Sequence, residues 1–146
     1  MIQKLQEKLH NEIPLTKLMQ FSIVNYNDDE LITKAPLEIN INDKGTAFGG
    51  SLSTITIISS WSMCWLISQE LEYDSKNIVV IKNTNSYLKP VTKDIQCYTS
   101  KPSKKEIEIF KQKLENKKSG SLKIFSKIVE NGKICVEFEG VYIVKL

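Results

Sequence analysis

The stretch that decides the fold is Asn40-Ile41-Asn42-Asp43-Lys44-Gly45-Thr46-Ala47-Phe48-Gly49-Gly50-Ser51, which continues into an uncharged segment from Leu52 to Ser68. The first part is polar and rich in glycine, which indicates a loop, and the uncharged part predicts a helix that is buried nearly all round. The first N–H groups of a helix have no partner within it. With the positive end of the helix dipole, they suit a carbonyl oxygen or an anion. The sequence therefore predicts a binding site where this loop runs into the helix.

The segment from Ser51 to Ser68 is also long enough for a membrane span to be considered. It contains many Ser and Thr residues, however, and no second hydrophobic stretch precedes or follows it. The neighbouring strand patterns also need an apolar cover. We therefore expect a core helix and no membrane partner, with its hydroxyls bonded back to helix carbonyls rather than acting as nucleophiles.

The flanking patterns predict two N-terminal helices and a hairpin. Ile2, Leu5 and Leu9 have helical spacing, and Pro14 either stops that helix or opens a short second one. Two β-branched runs follow, from Phe21 to Tyr26 and from Leu31 to Pro36, and the turn residues between them indicate a hairpin.

The region after the core helix predicts a polar link at Tyr73-Asp74-Ser75-Lys76 and then a long strand from Ile78 to Val91. Its start, Ile78 to Ile81, is apolar on both faces, which is typical of a central strand. Its middle, Lys82 to Ser86, is polar, which is typical of a strand that lines a cavity or an interface.

The last part predicts a strand, a helix and a long hairpin. The expected elements are a strand from Ile95 to Ser100, an amphipathic helix from Lys104 to Lys118, strands from Leu122 to Val129 and from Ile134 to Glu139 around an Asn131-Gly132 turn, and a bulge at Gly140. The order indicates one α+β domain over residues 1–146, with an antiparallel sheet curled around one helix.

The amino-acid composition indicates which classes of binding partner to expect. The net charge of +3 comes from 20 lysines without any arginine, and because nucleic-acid recognition depends heavily on arginine, we expect no nucleic-acid partner. Cys64, Cys97 and Cys135 are far apart in apolar or alternating patterns, which predicts reduced core thiols and no metal site. The N-terminus lacks the apolar core of a signal peptide, so we expect a cytoplasmic protein.

Several motifs carry a resemblance to a known family. Pro14-Leu15-Thr16, Ala35-Pro36-Leu37, Asn40 to Leu52 and Tyr87-Leu88-Lys89-Pro90-Val91 are similar to the signature of the YiiD C-terminal domain family of thioesterase-like proteins. That family occurs alone or fused to a GNAT acetyltransferase domain. The resemblance covers essentially the whole chain and implies the hotdog fold, in which a long antiparallel sheet wraps a central helix.

The resemblance also implies a function. It implies a homodimer, or a dimer of dimers, that hydrolyses an acyl-CoA or acyl-ACP thioester at the subunit interface without a cofactor. Mapped onto this chain, the thioester carbonyl would meet the N–H groups of Gly50 or Ser51, with Asp43 as the water-activating base and Asn42 as its positioning partner. The substrate would also contact the neighbouring loop residues Asn40, Thr46, Phe48 and Gly49.

The sequence differs in two places from the motifs of related hotdog thioesterases, and these differences favour a second possible function. Phe48 stands where many of them carry the histidine of a His-Gly-Gly motif, and the central helix has no acidic residue before Glu70. The only histidine, His10, lies near the end of the first helix, where we expect a solvated or dipole-stabilising role. The alternative is therefore a non-catalytic hotdog module that binds an acyl chain or a partner protein.

Overall fold

The computed structural model describes residues 1–74 and 77–146, so Ser75 and Lys76 of the predicted polar link lie outside the described residues. The described residues form an α+β fold, as predicted. Its elements are α1 (Ile2–Glu12), α2 (Pro14–Leu18), β1 (Ser22–Tyr26), β2 (Glu30–Ala35), α3 (Gly49–Glu70), β3 (Asn77–Tyr87), β4 (Ile95–Ser100), α4 (Lys104–Lys117), β5 (Ser119–Glu130) and β6 (Lys133–Lys145).

The sheet has six strands in the order β1-β2-β4-β5-β6-β3, and every neighbouring pair is antiparallel. Helix α3, 22 residues long, packs against the concave side of this sheet and carries much of the core. By length and composition alone this helix could cross a membrane. However, 67% of the 18-residue apolar segment that meets this criterion is buried within the fold. The helix is thus the centre of the structure, as the absence of charge predicted.

The hydroxyl groups of α3 make two kinds of hydrogen bond, one within the helix and one to the sheet. Thr54, Ser62 and Ser68 donate to carbonyls four residues earlier, as expected. Ser59 and Ser60 instead reach the sheet: Ser59 Oγ lies 2.7 Å from Thr33 Oγ1, and Ser60 Oγ lies 2.7 Å from Ser126 Oγ. Small hydroxyl residues therefore let the helix lie close to the sheet while keeping their polar atoms paired.

The buried thiols lie beside these hydroxyls. Burial raises the pKa of Cys97 to about 11, although the hydroxyls of Ser59, Thr33 and Thr99 act in the opposite direction. Burial likewise raises the pKa of Cys64. All three cysteines are free and buried, which agrees with the prediction of reduced core thiols.

The prediction that β3 is a central strand is wrong. It is the last strand of the sheet and pairs only with β6, and Val79 and Ile81 on it are 54% and 57% exposed. The strand also ends at Tyr87 rather than at Val91. An apolar run with two apolar faces indicates that both faces are covered, but none of the described residues covers Val79 and Ile81.

The predicted bulge at Gly140 is also wrong, because the register is continuous there and Gly140 pairs with Asn83 and Ile124. The irregularity on this side of the sheet lies in β3, between Val80 and Lys82. A Cβ at Gly140 would lie 2.7 Å from the Phe138 ring and 3.0 Å from the Tyr142 ring. Close packing of two aromatic rings, rather than a bulge, therefore requires glycine at this position.

The hydroxyl contacts generate a stability prediction. Ser126 Oγ lies 2.7 Å from both Ser60 Oγ and Thr99 Oγ1, and all three side chains are buried. Ser126→Ala leaves two buried hydroxyls short of a partner, so we expect the free energy of unfolding in urea to fall by about 1–3 kcal/mol. Ser121→Ala, on the exposed face of the same strand, should change it by less than about 0.5 kcal/mol. Equal losses from the two variants would contradict the proposed role of the buried hydroxyls.

Candidate functional site

The start of α3 presents backbone donors without partners. The first hydrogen bond of the helix runs from the Leu52 N–H to the Phe48 carbonyl, over 3.0 Å. Within the described part of the chain, the N–H groups of Gly49, Gly50 and Ser51 have no acceptor. These are the donors that the sequence predicted for a carbonyl oxygen, and Gly50 is exposed to solvent.

The residue before the helix cannot satisfy these donors. Phe48 occupies the N-cap position, where Ser, Thr, Asp or Asn would accept a hydrogen bond from the first turn. Its ring instead lies over Gly50, so that a Cβ added at Gly50 would come within 2.4 Å of Phe48 Cε2. A Cβ at Gly49 would meet nothing within 4 Å. The space beside Gly49 is therefore open for a ligand.

Buried Asn40 fixes the position of this helix start. Its side-chain amide donates to the Met19 carbonyl over 3.0 Å and to the Pro36 carbonyl over 2.8 Å, and its own carbonyl accepts from the Phe48 N–H over 2.7 Å. Because Asn40 is only 2% exposed, its side chain holds the site in place rather than facing the open side of the loop. The Ala47 N–H is held in a similar way by the Val91 carbonyl, over 2.8 Å.

Asn42 and Thr46 form the base of a tight loop. Asn42 Oδ1 accepts from the N–H groups of Lys44 and Thr46, and Asn42 Nδ2 donates to Thr46 Oγ1 over 2.8 Å. A bridge between Ile41 and Ala47 closes the loop, and Gly45 has φ +78°, a backbone conformation that favours glycine. Asn42 and Thr46 thus shape the loop that carries Asp43.

Asp43 lies at the tip of this loop. Its side chain is 82% exposed, and its carboxylate lies 3.0 Å from Lys44 Nζ. It lies in the loop that leads into the helix start, and its side chain points to solvent. The structure therefore brings the predicted backbone donors and the residues that shape the loop together, and leaves the predicted base at the outer edge.

A polar cluster between α3 and β3 was not singled out residue by residue in the sequence. Asn85 Oδ1 accepts from Thr56 Oγ1 over 3.2 Å, and Asn85 Nδ2 donates to Ser53 Oγ over 3.4 Å. The signal for it was the polar middle of β3. This cluster joins the edge strand to the second turn of the helix, directly beside the free donors.

The only acidic residue of α3 is far from this site. Glu70, at the other end of the helix, pairs with Lys101 Nζ at 3.1 Å and accepts from the Tyr26 hydroxyl. Burial, together with that hydrogen bond, raises the pKa of Tyr26. The three side chains connect the helix end to the sheet and are separated from the helix start by the length of α3. His10 makes a structural contact instead: its Nε2 donates a hydrogen bond to the Phe21 carbonyl over 2.8 Å.

Several solved structures have a fold similar to that of this chain. The structure of a protein of unknown function from Chlorobaculum tepidum TLS has a TM-score of 0.94 at 32% identity, over 98% of this chain and 93% of that chain. A putative thioesterase from Shewanella oneidensis has a TM-score of 0.90 at 30% identity, over 99% of this chain and 97% of that chain. A thioesterase from Haemophilus influenzae, at 13% identity, has a TM-score of 0.71 over 100% of this chain and 92% of that chain, which supports the fold alone.

The sequence itself also matches a family over residues 2–146, and that family is described as "Putative thioesterase (yiiD_Cterm)". The match includes the loop and helix start described above, and the neighbouring structures share the six-stranded sheet around a long helix. The chain therefore belongs to the YiiD C-terminal domain family of hotdog-fold thioesterase-like proteins.

Proposed function

We propose that this protein hydrolyses an acyl thioester at the start of α3. The observation that carries the proposal is the set of free N–H groups at Gly49, Gly50 and Ser51, at a helix start that no side chain caps. Donors that are already in place before the reaction favour the transition state, because no reorganisation is needed as negative charge develops on the carbonyl oxygen. The family to which the chain belongs supports the same chemistry.

In the proposed reaction, water attacks the thioester carbonyl carbon while the N–H groups of Gly50 and Ser51 bind the oxygen that becomes negative. Asp43 accepts a proton from the attacking water. Collapse of the tetrahedral intermediate breaks the carbon–sulfur bond, and the sulfur leaves as a thiol after taking up that proton. The products are a carboxylic acid and a free thiol. Asn42 acts as a positioning residue, because its amide shapes the loop that presents Asp43.

We propose that the working form is a homodimer built on β3. The outer edge of β3 has no strand partner within the described residues, although the strand is 11 residues long. Beside it, Thr54, Ile57 and Trp61 form a stripe of α3 that the protomer leaves only partly buried. Pairing β3 with β3 of a second copy would satisfy the backbone N–H and C=O groups of this edge and place side chains of the second strand beside Val79 and Ile81. It would also bring the second copy next to the helix start and to Asp43.

A second candidate function is a non-catalytic module that binds an acyl group or a partner. The observation that favours it is the exposure of Asp43, whose carboxylate pairs with Lys44 and not with another site residue. Under this alternative, the helix start would bind a thioester or carboxylate without turning it over. A screen of short, medium and long acyl thioesters separates the two, since only the enzyme releases free thiol.

Gly49→Ala tests the role of the helix start. An Ala Cβ at this position meets no atom of the protomer, and alanine is a better helix residue than glycine, so the melting temperature should be unchanged or raised. The Cβ would occupy the space through which the thioester reaches the donors. We expect kcat/KM to fall by at least tenfold in a thiol-release assay. A variant that keeps full activity would contradict carbonyl binding at this helix start.

Asp43→Asn tests the proposed base. Loss of a general base typically costs about 10²–10⁴ in rate, so we expect kcat to fall at least 100-fold while KM changes little. The side chain is exposed, so the variant should keep its stability. Lys44→Gln removes the neighbouring charge and provides the matched control, which should keep most of the activity. Activity that survives Asp43→Asn would exclude this carboxylate as the base.

The dimer is tested by Val79→Lys combined with Ile81→Lys. Both side chains are exposed in the protomer, and lysine on an unpaired strand edge opposes edge-to-edge pairing. Sedimentation at micromolar concentration should show a dimer for the wild-type protein and a monomer for the double variant. Val24→Lys is the control, because Val24 is exposed on β1 at the opposite edge of the sheet. A wild-type monomer would contradict the proposed dimer.

A further inference from the structure

The connection between β3 and β4 crosses the end of the β5–β6 hairpin. Because β5 and β6 lie between β3 and β4 in the sheet, residues 88–94, which we call the crossover loop, have to span both strands. At the start of this loop, the N–H groups of Leu88 and Lys89 both donate to the Cys135 carbonyl on β6, over 2.7 Å and 3.2 Å. The crossover loop is therefore anchored first on β6.

One carboxylate anchors the other end of the crossover loop. Glu130, the last residue of β5, accepts through Oε1 from the N–H groups of Thr92 and Lys93, over 3.0 Å and 2.9 Å, and through Oε2 from the Thr92 hydroxyl, over 2.8 Å. Desolvation acts to raise the pKa of Glu130, but these hydrogen bonds outweigh it and lower that pKa. The carboxylate thus stays ionised at neutral pH, and hydrogen bonds to an ionised acceptor are stronger than neutral ones.

Between its two anchors, the crossover loop supports the residue that precedes the N-cap of α3. The Val91 side chain is only 1% exposed, and the Val91 carbonyl accepts from the Ala47 N–H over 2.8 Å. Ala47 directly precedes Phe48, the N-cap residue of α3. Together with Asn40, the Val91 carbonyl therefore fixes where the first turn of the helix lies.

We propose that Glu130 is a positioning residue for the helix start. This inference rests on the proposed thioesterase function and adds to it a residue that does not touch the substrate. Without the carboxylate, the crossover loop keeps its anchor on β6 but loses the one on β5, so the Val91 carbonyl and the first turn of α3 can shift. A misplacement of about 1 Å caused by a distant substitution can cost about 100-fold in rate.

The first test measures turnover in the full-length protein. Glu130→Ala should lower kcat at least tenfold and change KM by less than about threefold, because the displaced N–H groups act on the transition state. Glu137→Ala, which changes an exposed carboxylate on β6, is the matched control and should alter neither. Thr92→Val removes one of the donors to Glu130 and should cause a smaller loss, whereas Thr92→Ser keeps the hydroxyl and should retain full activity.

A second background separates positioning from general stability. In Gly49→Ala, the thioester carbonyl no longer reaches the donors, so adding Glu130→Ala should reduce the remaining kcat/KM by less than about twofold. A purely structural residue would cost the same factor in both backgrounds. That outcome would overturn the proposal.

Amide hydrogen exchange, followed by NMR, tests the positioning without any turnover. The Ala47 N–H is protected by its bond to the Val91 carbonyl, and we expect Glu130→Ala, but not Glu137→Ala, to raise its exchange rate at least tenfold. The N–H of Met63, in the middle of α3, should exchange as in the wild-type protein. This result supports the positioning role even if the protein hydrolyses no thioester and the proposed reaction fails. Unchanged exchange at Ala47, or faster exchange throughout α3, would contradict it.

Discussion

The geometry of the candidate site depends on one buried residue, Asn40. Its side-chain amide donates to the carbonyls of Met19 and Pro36, at the end of α2 and just after β2, and its backbone carbonyl accepts from the N–H of Phe48, the residue that precedes α3. Without the Asn40 side chain, the carbonyl of buried Met19 would lose this partner, and leaving a buried polar atom unpaired costs about 1–3 kcal/mol. The position of the helix start, and so the direction in which its free N–H groups point, follows from this junction. The expectation that Asn40 contacts substrate stays a prediction, and in the structure its buried side chain is part of the framework of this loop.

The sequence predicted most helices and strands because the local residue patterns agree with which residues are buried in the structure. The uncharged segment predicted the buried helix, and the alternation from Leu122 to Glu139 around Asn131-Gly132 predicted the last hairpin, in which Asn131 and Gly132 have the positive φ values that such a turn needs. The amphipathic pattern from Lys104 to Lys118 predicted helix α4, which spans Lys104–Lys117 in the structure. Each of these features depends on residues close in sequence, which is why pattern reasoning reached them.

The remaining features depend on neighbours distant in sequence. Ile78 to Ile81 has the same pattern whether β3 is covered by its own chain or by a second copy, so the pattern could not distinguish a central strand from an edge strand. Gly140 is required by the rings of Phe138 and Tyr142, which pack together only once β6 is formed. Ser59 and Ser60 find hydroxyl partners on β2 and β5 that no helix rule includes. The loop and helix start followed from the sequence, but the hydrogen bonds of Asn40 and Asn42 and the exposure of Asp43 depend on how the chain folds.

The N-cap position of α3 bears on the proposed role of this helix start. A Ser or Asp at position 48 would satisfy a free N–H group and typically stabilise a helix by about 1 kcal/mol. The chain instead carries Phe48, whose ring occupies the side of Gly50 and whose side chain offers no acceptor. An acceptor at that position would compete with a thioester carbonyl for the same donors. The uncapped helix is therefore less stable than it could be and better able to bind a carbonyl, which is the balance expected where stability is exchanged for function. In the proposed reaction, Phe48 leaves these donors free, and binding of the carbonyl then rests on backbone N–H groups rather than on a side chain.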